Sequence, residues 1–157
     1  MAIRGFREGD APALRAVFAS AIHGTASAYY TPEQCDAWAP ADYDAEAWAR
    51  RMRGLAPFVA EEEGRIVGYA DVQDDGYIDH FFVAAEAGGR GVGSALMRRI
   101  HEVAAARGLT VLHAAVSLAA QPFFAHRGFA IEEEREVEVR GVTLRNARMR
   151  KDLGPGA

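Results

Sequence analysis

Apolar positions recur at helical spacing between Asp10 and Gly24, where Leu14, Val17, Phe18, Ala21 and Ile22 share one face, with Asp10 as N-cap and Gly24 as the stop. Ahead of them, Ala2 to Phe6 reads as a short first strand. From Thr25 to Tyr43 the periodicity fails and aromatic residues take over, namely Tyr29, Tyr30, Trp38 and Tyr43. Thr31-Pro32-Glu33 signals the start of a short helix there, and a further helix is expected over Ala45 to Arg53.

The pattern then changes to period two. Phe58-Val59-Ala60 and Ile66 to Val72 flank a Gly64-Arg65 turn as an antiparallel hairpin, and Gly76 opens a strand from Tyr77 to Val83. Alternation along that strand puts Tyr77, Asp79, Phe81 and Val83 on one face and His80 on the other. After Gly88 to Gly93 comes a helix, with Val92, Leu96, Ile100 and Val103 on its core side, ended by Gly108. Leu109 to Val116 reads as a buried strand and Ala119 to Arg127 as a short helix. Glu134 to Val139 and Val142 to Met149 form a hairpin around Arg140-Gly141.

A chain of 157 residues, 50% of them hydrophobic, fills one core, so a single domain over 1–157 is expected. No apolar stretch reaches the length of a membrane span, and the N-terminus shows no signal peptide, so a cytoplasmic protein without membrane contact is expected. The lone cysteine, Cys35, reads as packing, and no His/Cys cluster supplies a metal set. A net charge of -4 lacks the basicity that nucleic-acid binders use.

Chemistry enters with Gly88-Gly89-Arg90-Gly91-Val92-Gly93. A glycine-rich turn between a strand and a helix makes an anion site, because free amides and the helix dipole point at one place, and a diphosphate is the expected occupant. A Walker loop needs Lys before the Ser/Thr, whereas Gly93 precedes Ser94, which disfavours phosphoryl transfer from ATP. The spacing after Gly89-Arg90-Gly91 and the lack of a downstream acid disfavour a dinucleotide site. A tight connection without a ligand remains the alternative.

These residues resemble the GNAT superfamily of acyl-CoA-dependent N-acyltransferases, whose loop reads Gln/Arg-x-x-Gly-x-Gly/Ala. Gly88 stands where the family has Gln/Arg, leaving the amides from Gly89 through Ser94 for the pyrophosphate. The run Ser117-Leu118-Ala119-Ala120-Gln121-Pro122-Phe123-Phe124, ending in His126-Arg127-Gly128-Phe129, resembles a second family element. Thr25-Ala26-Ser27, Tyr30, Pro32, Trp38, Tyr77-Ile78-Asp79 and Arg140-Gly141 resemble a single-domain bacterial branch, the YafP-like acetyltransferases. The resemblance implies an α+β fold: a mostly antiparallel seven-stranded sheet, splayed between strands four and five and flanked by helices. It implies acetyl-CoA as donor and an amine as acceptor.

It also implies roles. The backbone of Phe81, Phe82 and Val83 would pair with the pantetheine arm, and the amide of Phe82 or Val83 would polarise the thioester carbonyl. Asp79, an acid in an apolar strand, is the expected base, with Tyr77 next; capping or pairing with an arginine explains Asp79 equally well. Where relatives carry a tyrosine that protonates the departing sulfur, this chain has Phe124, expected with Phe123 to be core packing and a wall beside the pantetheine. Ser117, Tyr77 or water would assist, and Ser117 as a helix cap is the alternative. Isolated strand histidines such as His80 and His113 are usually packed.

Thr25, Tyr29, Tyr30 and Trp38 lie where the family builds its acceptor pocket, although packing on the sheet explains them too. A noncatalytic acyl-CoA-binding module is the other class of function. It gains if Trp38 or Tyr30 fills the acceptor cleft, and the enzyme gains if Asp79 is linked by solvent to the thioester. Either a monomer or a homodimer fits.

Overall fold

Arg4 fastens the first strand to the elements beside it. In the computed structural model, which describes residues 1–155, β1 (Ala2–Gly5) pairs antiparallel with β2 (Phe58–Glu62). The Arg4 guanidinium lies 2.8 Å from both Asp10 Oδ2 and Glu61 Oε1. Asp10 does precede α1 (Ala11–Ser20), but its carboxylate caps no helix amide; it accepts from Arg4 and from the Arg7 amide. Gly24 is not the stop expected of it. The chain widens into a π turn over Ala21–Thr25 and a 3-10 turn over Ala26–Ala28. A Cβ at Gly24 would lie 2.6 Å from the Ala85 methyl, so this glycine serves a close approach.

Thr31 and Gln34 form a reciprocal capping box that starts α2 (Pro32–Trp38), and Asp44 accepts from the Ala47 amide to start α3 (Ala45–Leu55). Behind them, α4 (Val92–Ala106) packs close to β3 (Arg65–Ala70) because Gly68 has no side chain: a Cβ there would meet Val92 Cγ1 at 2.9 Å. Leu14, Ile22, Met52, Tyr69, Leu96 and Ile100 are among the fully buried side chains between helices and sheet.

Among the described residues the strands form two four-stranded sheets, eight strands in place of the seven expected. The first has the order β1-β2-β3-β5, all antiparallel, with β5 at Phe81–Val83. The second has the order β4-β6-β8-β7, with β4 (Tyr77–Ile78) parallel to β6 (Val111–Ser117) and β7 (Ala130–Val139) antiparallel to β8 (Val142–Asp152). The single strand expected over Tyr77 to Val83 is thus split at Asp79-His80, its first half joining one sheet and its second half the other. Past the split β5 parts from β6, which is the splay expected between the Tyr77–Val83 strand and the Leu109–Val116 strand. A short helix, α5 (Gln121–His126), comes after β6.

Candidate active site

The split is enforced by Asp71, an acid just past the end of β3 that has no exposed surface. Its carboxylate accepts from His80 N at 2.6 Å, from Asp79 N at 3.1 Å and from Gln73 Nε2 at 2.6 Å. Burial pushes its pKa up to about 6 against the lowering effect of those hydrogen bonds. Two consecutive amides are drawn to one side chain, so the strand cannot continue its alternation through them.

The alternation therefore shifts by one residue at the junction. Tyr77, Asp79, His80 and Phe82 line one cavity, which corrects the expectation that His80 faces away and that Asp79 shares a face with Phe81. Phe81 packs on the other side, with ring centroids 5.5 Å from Phe123 and 5.4 Å from Phe124.

Ladder geometry also sorts the amides of β5. Ala84 N donates to Val67 O at 2.9 Å and Asp71 N to His80 O at 3.2 Å, so residues 80, 82 and 84 turn their backbone groups toward β3. The Phe82 amide is therefore spent within the sheet, against the expectation that it could polarise a carbonyl. Phe81 and Val83 present theirs to the open edge, where an extended amide chain can add as a strand.

At the glycine loop, Gly89 and Gly91 have φ of 77° and 85°, the left-handed region that glycine tolerates without strain. Gly88 N donates to Ala85 O, and Ala95 N returns to Gly91 O. Between them, among the described residues, the amides of Gly89 through Ser94 find no backbone acceptor. With α4 beginning at Val92, this is an anion cradle at a 15-residue helix, and it fits a diphosphate. The Arg90 side chain turns toward Glu62, 3.6 Å away, and Glu86 O. Arg127, which sequence reasoning passed over, donates to Ser94 Oγ and stacks over the Phe123 ring at 4.7 Å, which places a cation beside the cradle.

A cavity of about 620 Å³ lies on the other face of β5, walled by Phe18, Trp38, Trp48 and Phe82. Tyr30 and Trp38 line it as expected and do not fill it. The Tyr30 hydroxyl is already committed: it donates to Arg145 O at 2.5 Å and accepts from Leu118 N at 2.9 Å, tying β8 to the loop before α5. Thr25 and Tyr29 are exposed and lie outside the cavity, because the irregular turns after α1 carry them outward.

Of the expected catalytic side chains, Asp79, Tyr77 and Ser117 all line the cavity. Asp79 Oδ2 stands 3.7 Å from Arg51 Nη2, the arginine pairing foreseen as its alternative. Ser117 Oγ accepts from Ala120 N at 3.3 Å, a cap on the turn that enters α5. Burial raises the pKa of Tyr77, and the Asp79 charge adds to it. His80 is 5% exposed, bonds Tyr69 Oη through Nδ1 at 2.9 Å, and is held down to about 3 by burial and by Arg51, so it is a neutral imidazole. Phe124 is 3% exposed and packs edge-on against Phe129 at 5.0 Å, as a core side chain does. Among the described residues no group of three His, Cys, Asp or Glu could hold a metal ion.

Residues 26–153 match the model of the acetyltransferase (GNAT) domain family. The chain is 35% identical over 148 residues to YafP of Escherichia coli K12, named an uncharacterized N-acetyltransferase, covering 94% of this chain and 93% of that one. A crystal structure of a GCN5-related N-acetyltransferase from Rhodopseudomonas palustris superposes with a TM-score of 0.92 at 33% identity, over 97% of this chain and 95% of the other. YncA from Salmonella typhimurium, solved with acetyl-CoA, shares the fold at a TM-score of 0.70 and 23% identity, over 100% of this chain and 96% of its own. A split sheet with a free strand edge, an amide cradle at the α4 terminus and these relatives lead to one assignment: the chain belongs to the GNAT family of acetyl-CoA-dependent N-acetyltransferases.

Proposed function

We propose that the chain, as one domain over residues 1–157, binds acetyl-CoA along β5 and the glycine loop and passes the acetyl group directly to a primary amine held in the aromatic cavity. What supports this reading is the two-sidedness of β5: Phe81 turns toward Phe123 and the Gly93 end of the cradle, Phe82 toward Phe18 and Trp38. A single buried cysteine, Cys35, fits the reducing cytoplasm as the site of action.

The thioester supplies the acyl group and a thiolate leaving group. For its part the chain neutralises the diphosphate with the amides of Gly89 through Ser94, the α4 dipole and the Arg127 cation. The Phe81 and Val83 backbone pairs with the pantetheine amides. The Val83 N–H is the donor for oxyanion charge that develops at the carbonyl. Asp79 removes the ammonium proton through water, and Tyr77 and Ser117 flank the path. A thiol of ordinary pKa, about 8.5, leaves without full protonation, so the lack of a hydroxyl at Phe124 does not stop the reaction.

The open cavity favours this enzyme over a noncatalytic acyl-CoA-binding module, which the missing hydroxyl at Phe124 favours. Calorimetric titration with acetyl-CoA and CoA decides the first step. Saturable binding by the wild type and its loss in Gly91→Glu is the expected result, and no binding by the wild type overturns the proposal. Acetylation of an amine panel, reduced in Asp79→Asn and Tyr77→Phe, is expected next. Tight binding with no turnover on any amine would leave the module.

A further inference from the structure

The acceptor cavity contains a charge that the transfer chemistry does not use. Arg15 projects from α1 into its wall and is only 8% exposed. Its guanidinium is caged by three rings, 4.1 Å from the Tyr43 centroid, 4.9 Å from Trp48 and 5.1 Å from Phe18. Aromatic faces stabilise a cation and hold the guanidinium in one orientation. One nitrogen, Nη2, donates to Pro40 O at 2.8 Å. Among the described residues Arg15 forms no ion pair with a carboxylate, and the nearby charge that most opposes its own is the Arg140 guanidinium.

Arg140 lines the same cavity. It sits at the turn between β7 and β8 with φ of 48°, and its Nη1 donates to Ala37 O at 2.7 Å. Each guanidinium is thus anchored through one nitrogen to a backbone carbonyl, Pro40 in the α2–α3 connection for Arg15 and Ala37 at the end of α2 for Arg140, with its remaining N–H groups uncommitted. Two like charges on one cavity, one of them desolvated, cost free energy unless an anion joins them. The acids on the same cavity are placed otherwise: Asp79 faces Arg51, Asp44 caps α3, and Asp42 is exposed.

Resting on the acetyltransferase reading of this cavity, we propose that the acceptor is an amine whose other end carries an anionic oxyacid group, a carboxylate or a phosphonate, bound between Arg15 and Arg140. Aromatic walls take the apolar body between the two ends. Bidentate pairing of an oxyacid by a preorientated guanidinium makes the anion a determinant of specificity.

The test uses CoA-saturated protein and calorimetric binding of 3-phenylpropionate, 2-phenylethylphosphonate, 4-(2-aminoethyl)benzoate and 2-phenylethylamine. Binding of at least one anionic compound tenfold or more tighter than 2-phenylethylamine is expected, and the better of the carboxylate and the phosphonate identifies the oxyacid. Arg140→Gln, at an exposed turn, and Arg15→Met are each expected to remove that preference while CoA affinity stays within twofold. The proposal is overturned if the anionic compounds do not bind, if 2-phenylethylamine binds as tightly as they do, or if both variants keep the preference. Failure of CoA itself to bind would instead overturn the acyl-CoA reading beneath it.

Discussion

The carboxylate of Asp71 accepts the amide of His80 at 2.6 Å, and at that bond one strand becomes two. In an uninterrupted sheet the amides of Asp79 and His80 would point to opposite sides. Here both converge on a side chain, β4 leaves with one sheet, and β5 leaves with the other. The groove proposed for the acetyl donor is a consequence of that divergence, so Asp71 would position the site without lining it.

Replacing Asp71 by Ala strands the buried His80 amide and the part-buried Asp79 amide, each costing about 1–3 kcal/mol. Asp71→Ala is therefore expected to lower unfolding stability by roughly 2–6 kcal/mol. Asp71→Asn keeps one acceptor oxygen and is expected to lose less. Urea denaturation checks both values, and kcat should fall more than CoA affinity in either variant, since the cradle at α4 is untouched.

The same pair sets a pH dependence. Asp71 is raised from 3.8 to about 6, so its favourable contribution is full below 3.8 and lost as pH rises through 6, about 3 kcal/mol in all. His80 is lowered from 6.5 to about 3, so its contribution is full above 6.5 and lost as pH falls toward 3. Between pH 4 and 6 the two slopes oppose each other. Relative to wild type, Asp71→Asn should lose stability as pH falls from 6 to 4, and His80→Gln should gain it. Denaturation midpoints across that range check the sign, and parallel curves for all three proteins would refute the linkage.

Tyr30 separates wall from clamp. Its hydroxyl joins Leu118 N to Arg145 O across 88 and 115 residues of chain, and the ring is 6% exposed. Tyr30→Phe removes both bonds with almost no change of shape. A stability loss of about 1–3 kcal/mol is expected, with acceptor KM changed less than threefold per folded molecule. A KM effect without a stability effect would return the hydroxyl to the substrate.

Much of this was legible from pattern alone. The α1 and α4 faces, the glycine cradle and the terminal hairpin derive from periodicity and turn chemistry, because each is a local property. The split of the Tyr77–Val83 segment was not legible, since its cause is Asp71, eight and nine residues before the amides it binds, and period-two reading assumes that backbone groups pair with backbone. An acid inside Ala70-Asp71-Val72 was the available signal. Thr25 and Tyr29 were misplaced for a related reason: the π turn has no sequence period of its own. Arg15 carries no signal of its own in the sequence, since it is the fold that brings Tyr43 and Trp48 over it.

Arg127 offers a test of the cradle that leaves its glycines alone. It stands one residue beyond α5, stacks on Phe123, and donates to Ser94 Oγ, which fixes that hydroxyl beside the free amides of α4. A cation so placed strengthens binding of a diphosphate by charge and by orienting the serine donor. Arg127→Ala is expected to weaken CoA binding about tenfold, near 1.4 kcal/mol, and to flatten its salt dependence. Arg127→Lys keeps the charge and loses the planar stack, so it should recover only part of the affinity. Acceptor KM should be unchanged in both, because β5 lies between Arg127 and the aromatic cavity. Calorimetry at two salt concentrations reads the effect, and an unaltered CoA affinity in Arg127→Ala would mean that the amides and the helix dipole hold the diphosphate without help from this cation.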